Sequence, residues 1–248
     1  MDKVQVIILA AGLGKRMESD DPKALAPLKG RPFLEHILEN VAKLNLAIQP
    51  IIVVGHKKER IKEVLGNSHI YGEQKEQLGT GHAVQSAKDL AHKDHEIVVV
   101  LSADQPMVSV GTLEKIITKQ KEHSPAVTIG TAVVPDFNEW RANLNSFGRV
   151  IRNTEGAVQE VIELKDASEE EKNIKEVNLG LYAFDKEWLW QNIDKLKNEN
   201  AQGEYYLTDM IGLAVSQNKK VESVEVTNLI EGLQPNSKAE LETLEKLL

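Results

Sequence analysis

The sequence predicts an α/β fold, a mixed, mostly parallel sheet flanked by helices. Three short continuous apolar runs, Val4-Leu9, Ile51-Val54 and Ile97-Leu101, read as strands buried on both faces. Segments of helical spacing separate them, as crossovers between parallel strands require. At 248 residues and 41% hydrophobic composition, the chain can bury one large core without covalent staples.

Each element has its own signal. After the first strand, Leu34, Ile37, Leu38, Val41 and Leu44 repeat along one helix face, and Pro32 stands near its start, where a missing N–H costs nothing. Further helices are predicted at 58–65, 80–92, 111–122, 186–198, 205–217 and 237–248, with strands near 126–133, 176–184 and 221–226. Residues 148–153 and 157–163 flank the turn Asn153-Thr-Glu-Gly156, the pattern of a β-hairpin lobe added to the sheet. Ser168-Glu-Glu-Glu171 offers a capping box for a short helix. No internal repeat occurs, and the six-residue period of a left-handed β-helix is missing. Residues 1–248 are therefore expected to form a single domain, with no C-terminal β-helix.

Composition narrows the function. With 38 carboxylates against 30 lysines and arginines, the formal net charge is −8, which disfavours a nucleic-acid partner because phosphate backbones are held by broad basic surface. There is no cysteine, hence no disulfide and no thiolate metal site. The N-terminal apolar run is about six residues, far short of the roughly 20 that span a bilayer. No membrane partner is expected, and a cytoplasmic location is the default expectation.

Against this acidic balance, Leu9-Ala-Ala-Gly-Leu-Gly-Lys-Arg-Met-Glu-Ser-Asp-Asp-Pro-Lys-Ala-Leu25 gathers Lys15, Arg16 and Lys23 directly after the first strand. Small residues there let backbone N–H groups approach an anion. Two familiar phosphate devices do not fit. The dinucleotide fingerprint needs a third glycine where Met17 stands, and a Walker A loop needs a Ser or Thr where Arg16 stands, with a further glycine upstream. What remains is a longer loop in which the amides of Ala10 to Gly12 hold a nucleotide while Arg16 and Lys23 neutralise its phosphates. The alternative is a solvated loop whose cations offset Asp20 and Asp21.

Leu9-Ala-Ala-Gly-x-Gly-x-Arg-Met17 followed by Pro22-Lys23-x-Leu25 resembles the signature of sugar-nucleotide pyrophosphorylases. Glu76-Gln-Leu-Gly-Thr-Gly-His82-Ala83 narrows the resemblance to the uridylyltransferase domain of the bifunctional enzymes that make UDP-N-acetylglucosamine. The resemblance implies a Rossmann-like nucleotidyltransferase fold of type A whose hairpin lobe binds sugar. It implies a nucleotide site at Leu9, Ala10, Ala11 and Gly12, with Gln74, Gly79 and Thr80 on the uracil. Arg16 and Lys23 would be catalytic, on the triphosphate. Thr80 also reads as a helix N-cap.

Asp104, at the carboxyl end of a central strand, carries over as a Mg²⁺ ligand. Its partner is Asn236, with Asn228 as the second choice, although Pro235-Asn236-Ser237 with Glu240 also reads as a helix start. Gly148, Glu163 and Asn178 carry over as sugar ligands, Glu163 alternatively being an exposed hairpin charge beside Lys165. Residues 201–209 match the family and read as packing and helix initiation. Two triplets depart from the common pattern: Ser102-Ala103-Asp104 replaces Tyr-Gly-Asp, and Asn178-Leu179-Gly180 replaces Asn-Thr-Gly, the latter inside the sugar pocket. The implied reaction joins UTP and N-acetylglucosamine 1-phosphate, with release of pyrophosphate. Another sugar 1-phosphate, or binding without catalysis, are the alternatives. His36, His56 and His82 are given no chemical role.

Overall fold

The computed structural model describes residues 3–12 and 21–248. The chain enters as β1 (Val4–Ala10), forms a small hairpin of β2 (Pro27–Leu28) and β3 (Arg31–Pro32), and crosses through α1 (Phe33–Lys43) to β4 (Ile51–Val54). Helix α2 (Lys58–Leu65) leads to β5 (Ile70–Glu73), α3 (Thr80–Gln85) to β6 (Ile97–Ser102), and α4 (Val110–His123) to β7 (Val127–Val133). The hairpin β8 (Arg149–Arg152) and β9 (Val158–Ile162) precedes the long β10 (Glu176–Asp185). Helices α5 (Lys186–Asn192) and α6 (Asp209–Ser216), strand β11 (Val221–Glu225) and helix α7 (Lys238–Leu247) complete the chain.

The main path of the sheet runs β11-β7-β10-β6-β1-β4-β5, with β8 and β9 joined through β10. Strand β1 is parallel to both β4 and β6, whereas β10 is antiparallel to β6 and β7, so the sheet is mixed at its centre. Alternate residues of β1 feed two cores: Val4, Val6, Ile8 and Ala10 enter one, while Ile7 enters the other. Burial on both faces is why this strand reads as a run rather than as an alternation. The chain leaves β1 toward β4 on one side and returns at β6 on the other. That change of direction opens a crevice at the carboxyl ends of β1 and β6, where open α/β sheets bind ligands.

Several expectations need correction. Helix α6 starts only at Asp209: Tyr205 is held by tertiary pairing, its N–H donating to Leu78 O at 2.7 Å and its O accepting from Gly81 N–H at 2.8 Å, and residues 207–208 form a turn that leads into the helix, with Thr208 at φ −60°. The helix expected at 80–92 ends at Gln85 and resumes as a 3₁₀ turn over Lys88–Leu90. The one at 186–198 passes into 3₁₀ geometry at Ile193–Lys195. Strand β5 has no counterpart in the sequence reading. The capping box is present: Glu171 N–H donates to Ser168 Oγ at 3.3 Å, and the Glu171 carboxylate accepts from Ser168 N–H at 2.7 Å.

Candidate active site

The crevice holds a cavity of about 260 Å³. Its wall includes Leu9, Ala10, Ala11 and Gly12 from the end of β1, Gln74, Gly79 and Thr80 from the segment between β5 and α3, and Lys23 and Asp104. Nine residues expected at the nucleotide and metal from distant parts of the chain thus share one wall. Arg16 and Lys15 lie outside the described residues.

Gly79 is set by geometry. Its φ is +110°, and a Cβ there would stand 2.6 Å from Tyr205 O and 2.8 Å from Tyr205 N. Only glycine lets residues 78–81 pair so closely with the backbone at 205. Thr80 is the first residue of α3 rather than its N-cap, and its hydroxyl accepts from Leu207 N–H at 2.9 Å. Gln74 is buried, and its Nε2 donates to Gly79 O at 3.0 Å and to His82 Nδ1 at 3.1 Å. A carbonyl demands a donor, so these two contacts fix which end of the amide is nitrogen. His82 therefore orients Gln74, a role the sequence did not suggest.

At the carboxyl end of β6, Ser102 Oγ donates to Asp104 Oδ1 at 2.7 Å. The buried Lys23 ammonium lies 2.5 Å from Asp104 Oδ2 and 2.7 Å from Asn236 Oδ1. Asn236 does not cap α7: Ser237 does, and the Glu240 carboxylate accepts from Asn236 N–H at 2.7 Å. Asn228 instead caps the 3₁₀ turn at Leu229–Gly232. Asp104 and Asn236 thus aim oxygen donors at one point held by a cation. A carboxylate and an amide oxygen suit a hard divalent ion. Among the described residues no three His, Cys, Asp or Glu gather as a metal site, so such an ion would draw its other ligands from substrate and water.

Gly148, Glu163 and Asn178 form a second cluster. Asn178 N–H donates to Gly148 O at 2.9 Å, and a Cβ on Gly148 would meet Val161 Cγ1 at 2.7 Å and the Glu163 carboxyl carbon at 3.6 Å. Asn178 is buried, donates through Nδ2 to Tyr182 Oη at 2.7 Å, and leaves Oδ1 without a hydrogen-bond partner among the described residues. Glu163 is half-buried and accepts from Thr208 Oγ1 at 3.0 Å, while Lys165 bonds Gln202, so the exposed-charge alternative fails. Burial first, then the nearby Asp209, Asp166 and Glu204 carboxylates, raise the pKa of Glu163, with the Thr208 hydroxyl opposing. Burial and Asp166 push Asp209 up to about 6.

The Leu179 side chain does not join the cluster of Gly148, Glu163 and Asn178, where the sequence reading places it. It is fully buried in the opposite core, where a Cβ on Gly232 would meet its Cδ2 at 2.7 Å. Sequence reasoning missed Gln77, Glu204 and Thr208. Gln77 and Glu204 line the cavity, Gln77 Nε2 donates to Ala11 O, and Thr208 holds Glu163. The strong match of residues 201–209 was the available signal, and it read as packing.

Residues 6–168 match the MobA-like NTP transferase domain. The bifunctional protein GlmU of Bacillus velezensis is 40% identical over 245 residues, covering 99% of this chain and 52% of that protein. GlmU of Bacillus subtilis is 38% identical over 248 residues, covering 100% and 53%. The chain thus spans about half the length of these relatives. A UDP-glucose pyrophosphorylase complexed with UDP-glucose superposes with a TM-score of 0.80 at 16% identity, covering 100% of this chain and 98% of that one. A CMP:2-keto-3-deoxy-manno-octonic acid synthetase complexed with CTP superposes at 0.71 and 18% identity, covering 99% and 98%. These two likenesses establish the fold as the Rossmann-like nucleotidyltransferase arrangement. With its mixed sheet, its cavity at the β1–β6 crevice and the match over residues 6–168, the chain belongs to the MobA-like NTP transferase domain family and is a nucleotidyltransferase.

Proposed function

We propose that the chain joins UTP to N-acetylglucosamine 1-phosphate, giving UDP-N-acetylglucosamine and pyrophosphate. The observation that carries this reading is the convergence of Lys23, Asp104 and Asn236 on one point beside the small-residue end of β1. A phosphate oxygen of the sugar phosphate attacks the α-phosphorus of UTP, and the bond to pyrophosphate breaks. Because the second pKa of a phosphate monoester is near 6, the nucleophile is already anionic at neutral pH and no general base is required.

The protein's work is positioning and charge neutralisation. The backbone of Ala10 to Gly12 lies along the nucleotide, and Lys23 together with Arg16 draws charge from the triphosphate. Asp104 and Asn236 would hold Mg²⁺, whose chemistry when bound is neutralisation across the two reacting phosphates. Gln74, with Nε2 committed to Gly79 and His82, offers its oxygen to the N3–H of uracil. Glu163, Asn178 and the Gly148 backbone face the sugar hydroxyls and the N-acetyl group. Among the described residues, no helix is long and apolar enough to cross a membrane.

Pyrophosphate release measured across four nucleoside triphosphates and a panel of sugar 1-phosphates tests the reading. UTP with N-acetylglucosamine 1-phosphate should be used best. A higher kcat/KM with glucose 1-phosphate removes the sugar assignment and leaves a uridylyltransferase, whereas no release with any pair removes the reaction.

A further inference from the structure

We propose that Gln105 is a positioning residue that keeps the sugar cluster in register with the Asp104 turn. The proposal rests on the functional reading above, which places Asp104 at the metal and Asn178 at the sugar.

Gln105 is fully buried, and its Nε2 donates to Leu179 O at 2.6 Å. Its other amide atom, Oε1, has no hydrogen-bond partner among the described residues. A buried amide left half-satisfied is costly, and an apolar side chain of the same length would fill the space without that cost. Packing therefore does not explain a glutamine here. The donor does.

The accepting carbonyl sits where the sheet needs outside help. Strand β10 pairs with β7 at Asn178 and again at Tyr182, but its register shifts between them, and Gly180 there has φ +72°. Such an irregularity leaves backbone groups without ladder partners. One residue away, Asn178 N–H donates to Gly148 O at 2.9 Å. On the other side, Ala103 N–H donates to Leu9 O at 2.9 Å, fastening the Asp104 turn to the nucleotide strand.

Backbone and side-chain bonds thus run from Leu9 through the Asp104 turn, across Gln105 to Leu179, and on through Asn178 to Gly148. Gln105 is the side chain in this path that joins the nucleotide half to the sugar half. Without its donor, the irregular stretch of β10 loses its tie to the metal turn, and Asn178 and Gly148 lose their fixed distance from the reacting phosphates.

The test uses the whole chain with Gln105→Met, which keeps length and removes both amide atoms. Steady-state pyrophosphate release gives KM for N-acetylglucosamine 1-phosphate, and calorimetry gives the Kd for UTP. A sugar-phosphate KM raised at least about tenfold, with UTP Kd within twofold of wild type and kcat reduced less than KM rises, supports the proposal. A KM within twofold, or a KM and a UTP Kd that shift together, overturns it. Should Gln105→Met not fold, Gln105→Leu removes the donor with a smaller apolar side chain and makes the same comparison. A wild-type chain that turns over no sugar phosphate overturns the functional reading and this proposal together, whereas an active wild type with an unchanged variant overturns the proposal alone.

Discussion

The Lys23 ammonium lies 2.5 Å from the Asp104 carboxylate, and the same nitrogen reaches Asn236 at 2.7 Å. One cation thus holds together the two residues whose oxygens suit a divalent metal. In the proposed reaction the charge of Lys23 faces the triphosphate, so Lys23→Ala should cost about 2–4 kcal/mol of transition-state stabilisation, read as kcat/KM for UTP. The same substitution should tighten Mn²⁺ binding in the absence of nucleotide, measured by electron paramagnetic resonance, since the ammonium no longer competes for the two oxygens. Unchanged catalytic efficiency removes Lys23 from the triphosphate and leaves it as the structural partner of Asp104 and Asn236.

Gly79→Ala tests the floor of the proposed nucleotide site. The new Cβ would press on the Tyr205 backbone, 2.6 Å from its oxygen, at a φ of +110°. Neither backbone can yield without breaking the bonds between residues 78–81 and 205. A loss of more than about 2 kcal/mol in chemical denaturation is expected, together with weakened UTP binding. A variant as stable as wild type contradicts the close approach.

How much of this was legible in the sequence depends on where each signal comes from. The doubly buried β1 and β6 announced themselves as apolar runs, and the Ser168–Glu171 box as a local pattern, because both are short-range signals. Strand β5 was hidden by its composition, Ile-Tyr-Gly-Glu, in which Gly72 lies where a Cβ would meet Leu90 at 3.3 Å. The helical spacing that begins at Tyr205 loses there to pairing with Leu78 and Gly81, an interaction no local window contains. The convergence of Lys23 with Asn236 joins residues 213 positions apart and was accessible only through motif resemblance. The departure at Leu179 points to the sugar pocket because its neighbours in sequence are candidates, whereas its side chain turns to the opposite face of β10.

That face makes a clear prediction for Leu179→Thr, which restores the residue the family commonly carries. Leu179 is fully buried against Leu144 and Gly232, so the smaller side chain leaves a void and buries a hydroxyl. A stability loss of about 2–4 kcal/mol is expected in chemical denaturation. The ratio of kcat/KM between N-acetylglucosamine 1-phosphate and glucose 1-phosphate should stay within twofold. A changed ratio would put Leu179 back among the residues that choose the sugar.

The acidic residues beside Glu163 set a pH dependence. Burial, the larger cause, and Asp166 push the Asp209 carboxyl up from an ordinary value near 3.8 to about 6. The native state then holds this proton more tightly than the unfolded chain does. Stability contributed by Asp209 is present below about 3.8, is lost as pH rises through about 6, and is level above that. Asp209→Asn, which cannot ionise, should therefore raise the melting temperature relative to wild type more at pH 8 than at pH 4. An equal shift at both pH values means that Asp209 titrates alike in the two states.

Base choice follows from the way Gln74 is held. Its Nε2 has two hydrogens, and Gly79 O and His82 Nδ1 take one each, at 3.0 and 3.1 Å. The remaining oxygen accepts, which matches the N3–H of uracil and opposes the bare N3 of cytosine. An unpaired buried acceptor costs about 1–3 kcal/mol, so UTP should exceed CTP in kcat/KM by roughly 5- to 150-fold. His82→Phe removes one of the two acceptors that fix the amide. Gln74 can then turn over, and the preference for UTP should fall while turnover of UTP itself persists. Parallel pyrophosphate-release assays with both nucleotides measure this directly. Equal efficiencies in the wild type would remove Gln74 from base recognition, and an undiminished preference in His82→Phe would show that Gly79 alone holds the amide.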